Sequence, residues 1–194
     1  MISILKPEDL ALPSSYRSIS LLDIIGKLFE KILLSRILHE VSERGMIRNE
    51  QLGFRLKHNR SLQLGHLVER MTRNLGAKYL TGAVFLDMTK TFDTVWIDGL
   101  LFKLMLQNFP SYLVHTVSMY LQSRTFEASF QTATSSRRGV LAEVAQEGVI
   151  TPVLFSLYVN DIPSPSYHVE FALYANDTAI IATFRKPTLL VSYL

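Results

Sequence analysis

The chain has 194 residues, which is enough for one domain with a sizeable core and too few for two ordinary domains. Its 48% apolar content argues against disorder, and the absence of cysteine excludes disulfides and thiolate metal sites. The net charge of +3 is compatible with a nucleic-acid partner, although a solvated surface is the more ordinary explanation of the basic residues.

Two helices are predicted in the first part of the chain. Apolar residues recur at helical spacing over residues 21–44, where Ser20 and Asp23 resemble a capping box and Gly45 stands at the end. We expect the apolar side of this helix to lie against a core. A second amphipathic helix is predicted over residues 62–75.

A strand, two helices and a further strand follow. The continuous apolar run GAVFLDM indicates a buried strand that ends on Asp87. Helices are predicted over residues 97–107 and 111–122, separated by Pro110. The alternating sequence RTFEASFQTA predicts a half-exposed strand.

The last predicted elements are a helix and a hairpin. Thr151 and Pro152 suit the N-cap and first position of a helix that reaches Asn160. Two runs of strand character then flank the tetrapeptide YAND at residues 174–177. Because helices and strands are mixed without strict alternation, we predict an α+β fold with helices packed on an antiparallel sheet.

Two carboxylates occupy similar positions in these predicted elements, since Asp87 ends a strand and Asp177 lies at the hairpin tip. If the strands are neighbours in one sheet, the two side chains converge. Converging carboxylates can hold two Mg²⁺ ions about 4 Å apart for phosphoryl transfer. Alternatively, Asp87 caps a turn and Asp177 is an ordinary turn residue. Spacing alone leaves both interpretations open.

Several blocks of the chain resemble, in order, the reverse transcriptases of non-LTR retrotransposons, especially the jockey-like elements of animals. PSSYRSISLLDIIGKLFEKILLSRI is similar to the family's YRPISLL…KLFEK block, and NEQLGFRLKHNRS to its QFGFR…HS block. AVFLDMTKTFDTVW resembles its FLD…AFD.VW metal-binding motif. FSLYVNDIP resembles the segment after PQGS.LGP, and LYAND stands where the family has Tyr/Phe-Ala-Asp-Asp.

The resemblance implies an RNA-directed DNA polymerase that extends a primer 3′-hydroxyl with deoxynucleotides, using an RNA template, a DNA primer, dNTP and two Mg²⁺ ions. It implies a partial reverse transcriptase domain with the right-hand polymerase architecture, mostly fingers over about residues 1–80 and mostly palm over about residues 81–184. The sequence ends soon after the hairpin, so we expect the thumb to be missing. The N-terminal sequence lacks the features of a secretory signal. We therefore expect an intracellular protein, nuclear by analogy with the family, without a membrane partner.

The family's catalytic and metal-binding residues carry over by position. Asp87 matches the first metal-binding aspartate, and Asn176 with Asp177 match the aspartate pair of the palm hairpin. Phe92 matches the aromatic residue that excludes a 2′-hydroxyl on the incoming nucleotide, and a core aromatic is its alternative. Tyr174 is expected to support the hairpin and the primer end.

Further residues are matched to nucleotide binding. Lys6 and Arg17 match basic residues that grip the triphosphate, because Arg offers a planar charged fork and Lys a point charge. Without the resemblance both would be ordinary surface charges. Gln146 matches a glutamine that lies near the template and the nucleotide.

The chain departs from the family in the motifs that carry the chemistry. Asn176 places a neutral amide where the family has an acidic metal ligand, which predicts severely reduced or absent activity. Glu147 places a negative charge where bare backbone approaches nucleic acid, which predicts repulsion of phosphate. Two alternatives to a working enzyme are therefore a nucleic-acid-binding remnant without catalysis and a non-functional element fragment.

Overall fold

The structure is a computed structural model that describes residues 2–5, 16–19, 22–48, 50–51, 60–87, 91–92, 94–122, 124–130, 133–140, 148–163, 168–174 and 177–193. The helices are α1 Ile24–Glu43, α2 Arg60–Gly76, α3 Ile97–Leu106, α4 Ser111–Leu121, α5 Thr151–Tyr158 and α6 Pro187–Tyr193. The strands are β1 Ile2–Leu5, β2 Tyr16–Ile19, β3 Leu80–Asp87, β4 Thr125–Phe126, β5 Ser129–Phe130, β6 Ala133–Thr134, β7 Arg138–Gly139, β8 Val169–Tyr174 and β9 Asp177–Phe184. Most of these strands pair antiparallel, and β1 pairs with β5 in parallel. This mixture of helices and mainly antiparallel strands confirms the predicted α+β class.

The chain forms two compact units, each made of two separate stretches. Unit 1 comprises Met1–Met46 and Phe92–Tyr158, and unit 2 comprises Ile47–Thr91 and Val159–Leu194. Unit 1 holds α1, α3, α4 and α5 with a sheet of order β2-β1-β5-β6 and the separate pair β4-β7. Unit 2 holds a sheet of order β3-β9-β8, which α2 and α6 contact.

Local signals determine both ends of α1. The side chain of Asp23 is the N-cap and accepts a hydrogen bond from the Gly26 amide at 2.6 Å, so the predicted helix start is placed slightly too early. At the other end Gly45 has a φ of +56°, and the Met46 amide donates to the Val41 carbonyl at 3.1 Å. This is a Schellman motif, in which glycine adopts the left-handed conformation without steric penalty.

The prediction that the whole apolar side of α1 lies against a core is wrong. Leu33, Ile37 and Val41 are buried together with Glu30. The side chains of Ile24 and Ile32, by contrast, are 85% and 55% exposed. The buried face of α1 is the one that carries Glu30, whose carboxylate accepts hydrogen bonds from the Tyr120 hydroxyl and the Val149 amide inside unit 1.

The core of unit 1 lies among the predicted helices that follow. α3 and α4 match their predicted positions, and Pro110 directly precedes α4. α5 begins at Thr151, which is its first helical residue rather than its N-cap. The predicted strand RTFEASFQTA divides into the short β4 and β5. Fully buried side chains from these helices form the core: Leu100, Leu104, Leu121, Leu154, Phe155 and Leu157.

In unit 2 the predicted strand and hairpin are present, but their burial differs from the expectation for β3. Phe85 is 72% exposed, and Leu80 and Leu86 are exposed as well. β3 is an edge strand of the described sheet, so its apolar run is not covered on both faces as in a central parallel strand. The buried residues of this sheet lie on the hairpin instead, where Val169, Ala182 and Phe184 form a cluster.

Candidate functional site

The hairpin that was predicted around YAND is formed by β8 and β9. These strands pair antiparallel, with Tyr174 opposite Asp177. Two residues, Ala175 and Asn176, therefore join the strands in sequence, and both lie outside the described residues. Asp177 is the first residue of β9 and is exposed. Asp177, the carboxylate residue of the YAND tetrapeptide, thus belongs to strand β9 and not to the two-residue connection between β8 and β9.

The strand β3 pairs with β9 on the side away from β8. The pairing is antiparallel over the whole of β3, from Leu80 opposite Phe184 to Asp87 opposite Asp177. A site shared by the Asp87 and Asp177 carboxylates requires that their strands be neighbours in one sheet, and β3 and β9 are direct neighbours. Moreover, the two aspartates are partners in the register. The structure describes the backbone of Asp87 and not its side chain.

The side chain of Asn74 connects α2 to the far end of this ladder. Its Nδ2 donates to Thr81 Oγ1 at 2.8 Å and to Thr183 Oγ1 at 3.1 Å. Thr81 and Thr183 are themselves opposite each other in the ladder. Because one amide bonds both members of a pair, Asn74 fixes β3 and β9 in a single register.

Glu50 and Gln51, which belong to the NEQLGFRLKHNRS block, contact the outer strand β8. The Leu173 amide donates to the Glu50 carbonyl at 3.0 Å, and Gln51 forms a parallel bridge with Leu173. Gln51 is buried. A hydrogen bond from Arg48 holds the pKa of Glu50 below its usual range. The contacts with Leu173 hold residues 50–51 beside β8, the strand that leads into the hairpin tip.

An ion pair lies between α2 and β8. Arg70 and Glu170 form it, and both side chains are partly exposed. Burial lowers the pKa of Arg70, and the nearby Arg73 lowers it further. The guanidinium stays charged nevertheless, because the ordinary pKa of arginine is so high. The pair adds an attachment of α2 to the sheet, next to the one made by Asn74.

The other predicted site residues are located separately. Phe92 belongs to unit 1, where its ring meets the buried ring of Phe155 edge-on at 5.2 Å between centroids. Arg17 lies on β2 opposite Ile4, and its side chain is not among those described. Lys6, Gln146 and Asn176 lie outside the described residues. The structure therefore brings together Asp87 and Asp177 of the predicted set.

The described part of the chain holds neither a cluster of metal-binding side chains nor a membrane-spanning helix. Within those residues, no three histidine or carboxylate side chains lie close enough together to hold a metal ion. Nor does any described helix combine the length and the apolar character needed to cross a bilayer.

One buried polar residue was given no role by the sequence interpretation. Glu30 on α1 is 1% exposed, and its carboxylate bonds the Tyr120 hydroxyl and the Val149 amide. The sequence does indicate that Glu30 is buried, because it lies three residues before Leu33 and seven before Ile37 and therefore on the same side of the helix as these buried residues. A charged residue on that side predicts a satisfied buried carboxylate.

The α+β fold agrees with what the family comparison shows. A family model described as reverse transcriptase (RNA-dependent DNA polymerase) matches residues 4–192. The chain therefore belongs to the reverse transcriptase family, as its motifs predicted.

Curated relatives place it among the reverse transcriptases of non-LTR retrotransposons. The chain is 34% identical over 183 residues to the probable RNA-directed DNA polymerase from transposon BS of Drosophila melanogaster, covering 91% of this chain and 20% of that protein. It is 36% identical over 172 residues to the probable RNA-directed DNA polymerase from transposon X-element of the same species, covering 89% and 18%. For the RNA-directed DNA polymerase from mobile element jockey of Drosophila melanogaster, identity is 36% over 174 residues, covering 86% and 19%. The chain thus spans about a fifth of the length of these relatives.

Proposed function

We propose that the chain acts as the polymerase part of an RNA-directed DNA polymerase, extending the 3′-hydroxyl of a DNA primer with deoxynucleotides on an RNA template. The observation that carries the proposal is the ladder register, which sets Asp87 opposite Asp177 in a member of this family. Directly opposed residues of an antiparallel pair lie on one face of a sheet, with Cβ atoms about 4.5–5.5 Å apart. That spacing suits two carboxylates that share divalent cations.

The donor set fits Mg²⁺, because this ion prefers oxygen ligands and is often held by one or two carboxylates together with substrate phosphates. Reverse transcriptases generally use divalent metal ions, and we assign Asp87 and Asp177 as ligands, with the amide oxygen of Asn176 as a weaker third. Two ions held there would supply activation of the primer hydroxyl and stabilisation of the leaving oxygen. The residues of the chain supply the fixed spacing, since the ladder and Asn74 hold both strands.

Substrate binding is assigned by family position. Lys6 and Arg17 grip the triphosphate, Gln146 lies near the template and the nucleotide, and Phe92 excludes a 2′-hydroxyl. The edge contact with the buried Phe155 supports the last role, because a steric filter needs a ring that cannot turn away. On this proposal the sheet β3-β9-β8 belongs to the palm and β2 to the fingers.

We also propose that Asn176 leaves little polymerase activity in the chain as it stands. An amide keeps one oxygen for a metal ion but lacks the negative charge that an aspartate brings. Binding of RNA template and DNA primer depends on other residues, so we expect it to persist where extension does not.

Primer extension on an RNA template with Mg²⁺ tests the proposal. The chain carrying Asn176→Asp is expected to extend the primer, and adding Asp87→Asn or Asp177→Asn is expected to abolish that extension. Asp98→Asn is the matched control, since Asp98 is an exposed aspartate on α3, in unit 1. Extension that survives Asp177→Asn would refute the assignment of the paired aspartates. RNA binding without extension in every variant would favour a non-catalytic nucleic-acid-binding remnant.

A further inference from the structure

The sheet of unit 2 carries three exposed cations at the end away from the paired aspartates. Leu80 and Phe184 form the last pair of the β3–β9 ladder at that end. Lys78 lies just before this pair in sequence, and Arg185 and Lys186 lie just after it. All three side chains are exposed, and we call these three residues the basic end of the sheet.

A contact between the two strand ends shows that these cations are neighbours. The guanidinium carbon of Arg185 lies over the Tyr79 ring, 4.8 Å from its centroid. Tyr79 directly follows Lys78, and Arg185 directly precedes Lys186, so this contact brings the three cations to one place. A guanidinium that stacks on a ring uses its face, and its N–H edge can still bind a phosphate.

The stretches of chain that form the basic end contain no acidic residue. Neither residues 70–86 nor residues 178–194 include an aspartate or a glutamate. Among the described residues, no carboxylate forms a salt bridge with Lys78, Arg185 or Lys186. Three positive charges on such stretches generate a positive potential that attracts polyanions.

Lys78 occupies a backbone position that favours glycine. Its φ is +60°, its amide donates to the Leu75 carbonyl at 3.1 Å, and the Tyr79 amide donates to the Asn74 carbonyl at 2.9 Å. This is a Schellman motif with a lysine in the left-handed position. The lysine carries a steric cost that glycine avoids, and residues held in such conformations cluster at functional sites. Attraction to the helix C-terminus does not require this position, because it acts throughout the last turn.

The basic end is too far from the aspartates to hold the reacting nucleotide. From Leu80 to Asp87 the strand rises about 3.4 Å per residue, which places the two ends of the ladder about 24 Å apart. A stacked nucleic-acid strand also advances about 3.4 Å per nucleotide, so a strand that follows the ladder reaches the basic end after about seven nucleotides. This spacing suits the backbone of a template–primer hybrid and not a dNTP.

We propose that the basic end is a second nucleic-acid contact surface, at which Lys78, Arg185 and Lys186 bind backbone phosphates of the template–primer hybrid. This inference rests on the proposed function, since the hybrid is the substrate of that function. The contact supplies affinity for every sequence alike, because phosphates carry no sequence information.

Binding of an RNA–DNA hybrid of about 20 base pairs tests the inference, because such a hybrid is longer than the ladder. Its affinity for the full chain is measured by fluorescence anisotropy at about 50 and about 200 mM salt. Lys78→Gly combined with Lys186→Gln removes two charges from the basic end. Lys27→Gln combined with Lys31→Gln is the matched control, since both are exposed lysines of α1, in unit 1.

The expected result follows from counterion release. The logarithm of duplex affinity changes by about 0.9 per phosphate contact for each unit in the logarithm of salt concentration. The advantage of the parent over the double variant should therefore be about tenfold greater at the lower salt concentration, whereas the control should keep the salt dependence of the parent. If the double variant does not fold, Lys186→Gln alone decides, with about half of the change in slope.

Lys78→Gly alone separates binding from stability. Glycine relieves the steric cost of the left-handed position, so the thermal midpoint of this variant should be at least that of the parent. Its affinity for the hybrid should nevertheless be lower. A residue with only a structural role would not produce a chain that is equally stable and binds more weakly.

Three results would overturn the inference. A parent that does not bind the hybrid, or a double variant with the salt dependence of the parent, means that phosphates do not contact the basic end. An equal change in the control means that binding follows net charge alone. Equal displacement of the hybrid by polyglutamate at the same concentration of charge means that the surface fits an acidic polypeptide. If the Asn176→Asp chain does not extend primers, the proposed function fails, whereas the binding comparison still decides this inference.

Discussion

Asn74 holds the ladder that aligns the two aspartates, and Asn74→Ala tests this directly. The substitution removes hydrogen bonds of 2.8 Å to Thr81 and 3.1 Å to Thr183. Each such bond contributes about 1 kcal/mol net, so we expect a loss of about 2 kcal/mol of unfolding free energy. For a chain of this size that loss lowers the thermal midpoint by about 4–8 °C.

Circular dichroism during heating, combined with amide exchange in β3 and β9, measures the effect. Asn74→Asp is the informative partner, because a carboxylate can accept from both threonine hydroxyls and should restore most of the stability. Thr72→Ala is the matched control, since the Thr72 hydroxyl donates to the Val68 carbonyl within α2. If Asn74→Ala unfolds at the temperature of the parent, with unchanged exchange in β3, the side chain does not fix the register and our reasoning is wrong.

Three further predictions concern other parts of the chain. Lys78 follows α2 with a φ of +60°, so Lys78→Gly should raise the unfolding free energy, measured by urea denaturation, by about 1 kcal/mol. Asn108 has a φ of +54°. Asn108→Gly should change the unfolding free energy less, because asparagine tolerates this conformation. Phe92→Val in the Asn176→Asp chain should raise ribonucleotide incorporation relative to deoxynucleotide incorporation at least tenfold, and an unchanged ratio would contradict its role as a filter. The pKa of Tyr120 is raised in the folded protein, so its protonated hydroxyl stabilises the fold at every pH below the ordinary tyrosine pKa of 10.0. This contribution is lost as the pH rises above that value. The parent should therefore lose stability at alkaline pH more steeply than Tyr120→Phe.

The sequence predicted those features that local chemistry determines. Gly45 and Pro110 mark helix boundaries. Gly45 ends α1 in the left-handed conformation and Pro110 lacks a backbone N–H, and both effects depend only on adjacent residues. Burial was predicted less well, because it depends on which elements meet. Ile24 and Phe85 satisfy the apolar pattern yet are exposed, whereas the charged Glu30 is buried.

The ladder register could not be predicted from the sequence for a similar reason. The pattern of β3 allows several alignments with β9, and a shift of one residue would send Asp87 to the other face of the sheet. The alignment is determined by contacts that are remote in sequence, such as the bridge from Asn74 to Thr183. Family motifs identified the aspartates, but only the fold shows that Asp87 and Asp177 are paired.

That pairing makes Asn176→Asp a test of charge alone. Asp177 starts β9 and keeps its partner Asp87, whereas Asn176 lies between the two strands in sequence. Asparagine and aspartate have nearly the same shape, so the substitution adds a negative charge without altering strand pairing. One charge interaction at about 4 Å is worth about 4 kcal/mol at an effective dielectric near 20, which corresponds to several hundredfold in rate.

We therefore expect single-turnover extension by Asn176→Asp to exceed that of the parent several hundredfold. Asn176→Gln is the control, since it changes the side chain without adding charge and should not increase the rate. If Asn176→Asp does not raise the rate while template binding is retained, the missing charge is not the limiting defect. Glu147→Gly added to Asn176→Asp then locates it, because removing that negative charge relieves repulsion of phosphate. A gain only in the double variant would show that both departures limit the enzyme, whereas no gain in either would refute the proposed catalytic site.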